Sequence, residues 1–180
     1  MSIVSAAELL ALYAQGQRNF EHLQGDRWSL FEAKLREINL QGSSLQQVYL
    51  SYANLSQANL EGAVLAEAEL SHAQLYQANL KGADLTHARL LRANLRFAQL
   101  QGAQLQGASL EEANLSSTNL QNADLRGAQL IRVRMEGANL MGAHLAGANL
   151  FKAQGVNLSQ AHYDQTTILP SGYRGDPARP

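Results

Sequence analysis

Residues 53–70 read ANLSQANLEGAVLAEAEL, and leucine stands at every fifth position of this stretch. The spacing runs without interruption from Leu30 to Leu130 and continues to Leu150, with Met135 as the single substitution. A small residue, usually alanine, precedes each leucine by two positions, and a mostly polar residue lies between them. The chain is therefore an array of five-residue repeats, and the repeat decides the fold.

A period of five fits neither an α-helix, with 3.6 residues per turn, nor a flat strand, with a period of two. Leucines five apart would spiral around a helix and bury no continuous face. The period fits if five residues form one side of a four-sided coil, with the leucine and the preceding alanine inward and a turn after each side. Four repeats then complete one coil, and the fifth repeat lies directly above the first.

Glycine supports the four-sided coil independently, because it falls into columns that recur at every fourth repeat. Gly42, Gly62, Gly82, Gly102 and Gly142 share one column, and Gly107, Gly127 and Gly147 share another. Glycine is favoured at corners that need a positive φ. We expect these columns to mark such corners.

Charges at equivalent positions of successive coils give a third indication, since such residues would lie about 4.8 Å apart. Opposite charges meet at four pairs: Glu61 with Lys81, Glu69 with Arg89, Arg92 with Glu112, and Glu112 with Arg132. Only Arg132 with Lys152 sets like charges together. Cross-strand pairs of opposite charge stabilise neighbouring strands, so the pattern favours the same register.

The repeat A-(N/D/Q)-L-x-x resembles the pentapeptide-repeat family over residues 20–168, and the stretch LLALYAQGQRNF at residues 9–20 resembles the opening of its cyanobacterial members. The resemblance implies an all-β solenoid, a right-handed quadrilateral parallel β-helix with a short N-terminal capping α-helix. About seven coils, each about 4.8 Å high, would give a rod of about 35 Å.

Residues 1–17 carry helix signals, and we expect them to cap the rod. Ser5 to Glu8 form a capping box, and Gly16 suits the end of a helix. The expected buried face comprises Ala6, Leu9, Leu10 and Tyr13. Leu23 and Trp28 occupy inward positions that alanine takes later, where their bulk would fill the space beneath the helix.

The repeat domain is expected to span residues 18–168, with a break of register near 153–157. Gly155 stands where an apolar residue is due, and the pattern resumes at Leu158, Tyr163 and Ile168. We interpret this as three extra residues in a bulge or small loop. Residues 169–180 are expected to be an extended cap that frays beyond Pro170.

Composition excludes several function classes. The chain has no cysteine, so disulfides and thiolate chemistry are excluded, and a reducing compartment fits. Fourteen basic and 15 acidic residues give a net charge of −1, so no nucleic-acid-binding surface is indicated. No segment has the basic start of a signal peptide or the length of a membrane span, and we expect a cytoplasmic protein that binds no membrane.

An enzyme is not indicated, because a coil filled with leucine and alanine leaves no concave pocket. One column of polar residues comprises Asp84, Gln104, Asp124 and His144. Asp124 and His144 could touch, but no serine completes a triad, so a solvated surface pair is the favoured interpretation. Asp84 and His87 lack a third metal ligand. We predict no catalytic residue, cofactor or metal.

One side and its corner depart from the polar pattern and form a candidate interaction face, hereafter the candidate face. Its residues are Tyr49, Tyr52, Arg89, Leu91, Arg92, Ile131, Arg132, Phe151 and Lys152. Apolar residues flanked by arginines and tyrosines are typical of protein interfaces. The alternative is ordinary surface, since single exposed apolar residues are common.

The predicted function is a non-catalytic interaction module, monomeric or weakly oligomeric, whose flat-sided rod binds a protein partner that the sequence does not identify. The alternative comes from the resemblance: some family members imitate duplex DNA and modulate DNA gyrase. Such mimicry needs a strongly acidic rod. The balanced charge of this chain favours the first interpretation.

Overall fold

The computed structural model describes residue 3 and residues 5–175, and its backbone is a parallel β-solenoid. Single-residue parallel bridges recur at every repeat, and each joins a residue to its equivalent four repeats later, from Asn19 with Asn39 to Arg134 with Gln154. No longer strand forms in the described residues, because a turn follows each bridge. The predicted register, with four repeats between bridged residues, is confirmed over this part of the chain.

The core is the inward pair of each repeat. Ala53 and Leu55 are fully buried, as are nearly all their equivalents up to Ala148 and Leu150. Burying a leucine side chain contributes about 1.5–3 kcal/mol relative to leaving it exposed. Because inward leucines follow one another at every bridge, the core is continuous along the rod.

The polar residue between alanine and leucine completes the hydrogen bonding of its side. All five N–H groups of residues 54–58 have partners. The acceptors are the Ala33 oxygen for Asn54, the Gln74 oxygen for Leu55, the Asn54 Oδ1 for Ser56, the Tyr76 oxygen for Gln57 and the Leu55 oxygen for Ala58. The asparagine side chain thus accepts from the one N–H that no neighbouring backbone reaches.

The second residue of each corner has a positive φ, as the glycine columns predicted. The eight glycines of those columns have φ between 61° and 72°. Eighteen other residues, including His22 and Gln77, adopt the same conformation without being glycine. Each of them bears a backbone strain of about 1–2 kcal/mol. Glycine therefore relieves strain at corners that the core and the bridges impose in any case.

The N-terminal helix α1 spans Ala6–Ala14 and is capped at both ends. The Ser5 Oγ accepts from the N–H of Glu8 at 3.2 Å. At the other end Gly16, with φ of 98°, donates to the Tyr13 oxygen, and Gln17 donates to the Leu12 oxygen, which is a Schellman motif. The predicted stop at Gly16 is confirmed.

The buried face of α1 differs from the prediction at one position. Leu9 is fully buried against the core, and Tyr13 packs there, but Leu10 is 37% exposed. Leu12, three residues after Leu9 and thus on the same helical face, contacts the core instead. Tyr13 also donates its hydroxyl to the Arg36 oxygen at 2.8 Å, which ties the helix to the first coil.

Trp28 packs against the core of the first coil. A Cβ added to Gly25, at a position that leucine takes elsewhere, would lie 3.1 Å from the Trp28 ring. The ring therefore occupies the space of the missing leucine, and glycine at position 25 makes room for it.

The last coil is shorter than the others, and the predicted insertion is wrong. His144 pairs with His162 and Asn149 pairs with Ile168, where the regular register would require Asp164 and Leu169. Relative to the coil before, two residues are missing between Gln154 and His162, and one is added after it. In a five-residue repeat, inserting three residues and deleting two move the leucine pattern to the same positions. The sequence pattern alone therefore does not distinguish the two.

Of the three residues at which the apolar pattern was predicted to resume, two pack against the core and one does not. Leu158 and Tyr163 pack against the core, but Ile168 occupies a bridge position. Thr167 is the buried residue there, and its Oγ1 donates to the Leu145 oxygen at 2.8 Å.

The tail folds back rather than extending. Arg174 forms an antiparallel bridge with Ile168, and the N–H of Gly175 donates to the Thr167 oxygen at 2.7 Å. This return covers part of the last coil. The end of the predicted tail, residues 176–180, lies outside the described residues.

Candidate functional site

The solenoid brings the candidate face together from residues far apart in sequence. Bridges join Tyr49 to Glu69 and Glu69 to Arg89 in one column. The adjacent corner carries a second column on successive coils, in which Arg92 donates its N–H to the Glu111 oxygen and Arg132 donates to the Phe151 oxygen, both at 2.9 Å.

The N-terminal part of the candidate face is aromatic. Tyr49 and Tyr52 are 56% and 52% exposed. The Tyr52 ring stacks on His72 with centroids 4.6 Å apart, and Phe31 meets Tyr52 edge-on at 5.8 Å. Sequence reasoning missed Phe31, although it lies in the same corner column as Leu91, three coils away. The three rings form an ordered cluster in which Phe31 and Tyr52 are exposed and His72 is half-buried.

The aliphatic members of the candidate face are less exposed than predicted. Leu91 and Ile131 are half-buried. Phe151 is 39% exposed, and the Lys152 ammonium lies 5.1 Å from its ring centroid. Phe151 is therefore the exposed apolar group of the C-terminal part.

Ion pairs along the face follow three of the four predicted contacts. Arg89 lies 3.2 Å from the Glu69 carboxylate, and Glu112 lies 2.7 Å from Arg92 and 3.7 Å from Arg132. The hydrogen bond from Arg92 holds the pKa of Glu112 below its ordinary value. The fourth prediction is wrong: Glu61 accepts from the Asn79 amide at 2.9 Å, and no ion pair to Lys81 forms in the described structure.

A shallow groove of about 600 Å³ lies at the corner of the candidate face, and we call it the cationic groove. It is lined by Arg92, Glu112, Arg132, Arg134, Lys152 and Gln154. Arg134 and Gln154 belong to the next side, where they pair by a parallel bridge. Sequence reasoning missed Arg134, although only the inward Val133 separates it from Arg132.

The column of Asp124 and His144 forms no catalytic pair. The two residues are bridged as predicted, but Asp124 accepts from the Arg126 guanidinium at 2.6 Å and from Gln106 at 2.7 Å. The Arg126 hydrogen bond is the main cause of the lowered pKa of Asp124. The His144 ring stacks on His162 with centroids 5.0 Å apart. Both side chains thus have structural partners.

The described residues contain neither a metal-binding cluster nor a membrane-spanning helix. No group of three or more His, Asp or Glu side chains among them is arranged to hold a metal ion. No helix in the same part of the chain is long and apolar enough to cross a membrane.

The fold and its periodicity define a β-solenoid repeat protein. The family described as pentapeptide repeats matches the sequence in eight copies, within residues 29–65, 43–82, 78–116, 108–147 and 118–162. The chain belongs to the pentapeptide-repeat family. A comparison with curated proteins finds no match.

Solved structures similar to this chain include the following three. HetL, a pentapeptide repeat protein involved in heterocyst differentiation regulation from the cyanobacterium Nostoc sp. strain PCC 7120, is 30% identical, with 96% of this chain and 100% of that chain covered and a TM-score of 0.40. Rfr23 from the cyanobacterium Cyanothece 51142 is 25% identical, with coverage of 91% and 99% and a TM-score of 0.45. QnrB1, a plasmid-mediated fluoroquinolone resistance protein, is 20% identical, with coverage of 86% and 78% and a TM-score of 0.41.

Proposed function

We propose that the chain is a non-catalytic interaction protein whose stiff rod presents the candidate face to a protein partner. In this proposal residues 18–168 form a right-handed, four-sided rod of about seven coils, each about 4.8 Å high. Residues 1–17 and 169–180 cap its ends. The protein acts in the cytoplasm, as a monomer or weak oligomer, and binds neither nucleic acid nor membrane.

One observation carries the proposal: exposed aromatic rings and arginines share one face of the rod. Tyr49 and Tyr52 are more than half exposed, and Arg89 of the same face has a side chain 69% exposed. Tyrosine and arginine are the residue types that dominate binding energy at protein interfaces. Backbone hydrogen bonds to both neighbouring coils hold the columns that carry them. A rigid surface loses little conformational freedom when a partner binds.

Charge is the reason for placing this function ahead of DNA mimicry. A mimic of duplex DNA needs a continuous acidic surface. Here 14 basic residues balance 15 acidic ones, and four of the basic residues line the cationic groove.

The experiment is affinity capture from the native cell with wild-type protein and a variant that lacks the exposed rings, Tyr49→Ser, Tyr52→Ser and Phe151→Ser. All three rings are exposed, so the variant should keep its melting temperature within a few degrees. We expect capture of the partner, quantified by mass spectrometry, to fall at least about tenfold, because interface anchors commonly contribute about 2 kcal/mol each.

The matched control removes an aromatic pair from another corner. Tyr76 and Phe97 meet edge-on at 5.7 Å, and Tyr76→Ser with Phe97→Ser should leave capture unchanged. If the face variant captures the same proteins as wild type, or the control loses them equally, the candidate face is ordinary surface.

A further inference from the structure

The cationic groove contains a column of charged residues whose signs alternate from coil to coil, except at its last member. Along its corner column the residues on successive coils are Arg92, Glu112, Arg132 and Lys152. The first three alternate in sign, and the Glu112 carboxylate lies between the two arginines, 2.7 Å from Arg92 and 3.7 Å from Arg132. The alternation stops at Lys152, where a second cation follows Arg132 directly.

The unpaired cations lie together. Neither Arg134 nor Lys152 forms an ion pair with any residue that the structure describes. Glu136, two residues after Arg134, accepts from the Ser116 hydroxyl at 3.1 Å. Three cations, Arg132, Arg134 and Lys152, therefore line one end of the groove, and the single carboxylate in the groove is already shared by two arginines.

We propose that this end of the cationic groove binds a carboxylate side chain of an acidic peptide segment of the partner. The bound carboxylate would neutralise Arg132 and Lys152, as Glu112 neutralises Arg92 and Arg132, with Arg134 beside it. Because the coils are about 4.8 Å apart, the like charges of Arg132 and Lys152 repel, and an anion between them removes that repulsion. The inference rests on the proposed function and adds the chemistry of the partner.

An acidic peptide fits the groove better than a nucleic acid. Glu112 lines the groove between Arg92 and Arg132 and would oppose a continuous line of phosphates, whereas a peptide can place its acidic residues on either side of it. The planar guanidinium fork matches a carboxylate in two parallel hydrogen bonds. Phe151, beside Lys152, gives the rim of the groove an apolar contact of the kind that peptide side chains use.

The test uses purified full-length protein and fluorescence anisotropy with three labelled probes: hexaglutamate, hexaglutamine and a short DNA duplex. We expect saturable binding of hexaglutamate that weakens as salt is raised to about 150 mM, and no binding of hexaglutamine. The variant Arg134→Gln with Lys152→Gln should weaken hexaglutamate binding about tenfold, as expected for the loss of two partly exposed charge contacts.

The control removes the same net charge elsewhere, by Lys34→Gln and Arg96→Gln, which are also exposed and also lack an ion pair in the described part of the chain. It should change the affinity less than about twofold. Failure of hexaglutamate to bind, equal weakening in both variants, or tighter binding of duplex DNA with the same dependence on Arg134 and Lys152 would each overturn the inference. The proposed function would survive these results if the ring variant still loses the cellular partner.

Discussion

Leu95→Lys should abolish folding of the chain at room temperature. Leu95 is 1% exposed and points into the core, with Leu75 and Leu115 at the same position of the neighbouring coils. The substitution loses the burial of a leucine and places an ammonium group where no acid can reach it. Truncating such a residue alone costs about 2–5 kcal/mol, and burying an unpaired charge adds several more. The total is comparable to the whole stability of a typical domain, about 5–15 kcal/mol.

Far-UV circular dichroism and a thermal scan measure the outcome, and Gln104→Lys is the control. Gln104 is exposed on a bridge position between Asp84 and Asp124, so a lysine there meets two carboxylates one coil away on either side. We expect the control to unfold within a few degrees of wild type. If both lysine variants stay folded, the assignment of inward and outward positions is wrong for this coil.

The register of the solenoid could be predicted from the sequence because every coil must bury the same apolar residues. An inward leucine and alanine recur at each side, and a mismatch by one residue would expose the whole apolar set. The glycine columns carried the same information, since Gly62 and Gly82 occupy corners with φ of 63° and 61°. Ion pairs such as Arg92 with Glu112 followed directly from the spacing of equivalent positions on successive coils.

The features that sequence reasoning missed are side-chain contacts that the five-residue pattern does not encode. The repeat pattern indicates only a polar residue between alanine and leucine, yet Asn54 and Asn59 accept hydrogen bonds from the backbone of their own corners. Arg134 lies on a different side from the candidate face, so only the three-dimensional arrangement of the corner places it in the cationic groove. Similarly, Leu10 and Ile168 are apolar like core residues, but the neighbouring Leu9 and Thr167 are the buried ones.

The shortened last coil gives the second large effect that we expect, at Gly155. This residue has φ of 66°, and a Cβ added to it would lie 2.7 Å from the backbone Cα and N of Glu136. Gly62 has nearly the same φ, 63°, but no heavy atom lies within 4 Å of its Cβ position. An alanine at either position would bear the backbone strain of a positive φ, but only an alanine at position 155 would also clash with the preceding coil. Comparing the two substitutions therefore distinguishes these effects.

Gly155→Ala is accordingly expected to destabilise the protein by about 2–5 kcal/mol, the sum of the strain of a positive φ and the overpacking against Glu136, whereas Gly62→Ala should cost only the strain, about 1–2 kcal/mol. Chemical denaturation measures both values, and amide hydrogen exchange locates them. Because each coil of a solenoid is stabilised mainly by its neighbours, the loss at Gly155 should fall on the C-terminal end. The amides of Leu145 and Leu150, which donate to the His162 and Ile168 oxygens, should exchange faster, while that of Leu55 should not change. Equal costs at the two glycines would mean that the last coil does not lie against Glu136 in this register.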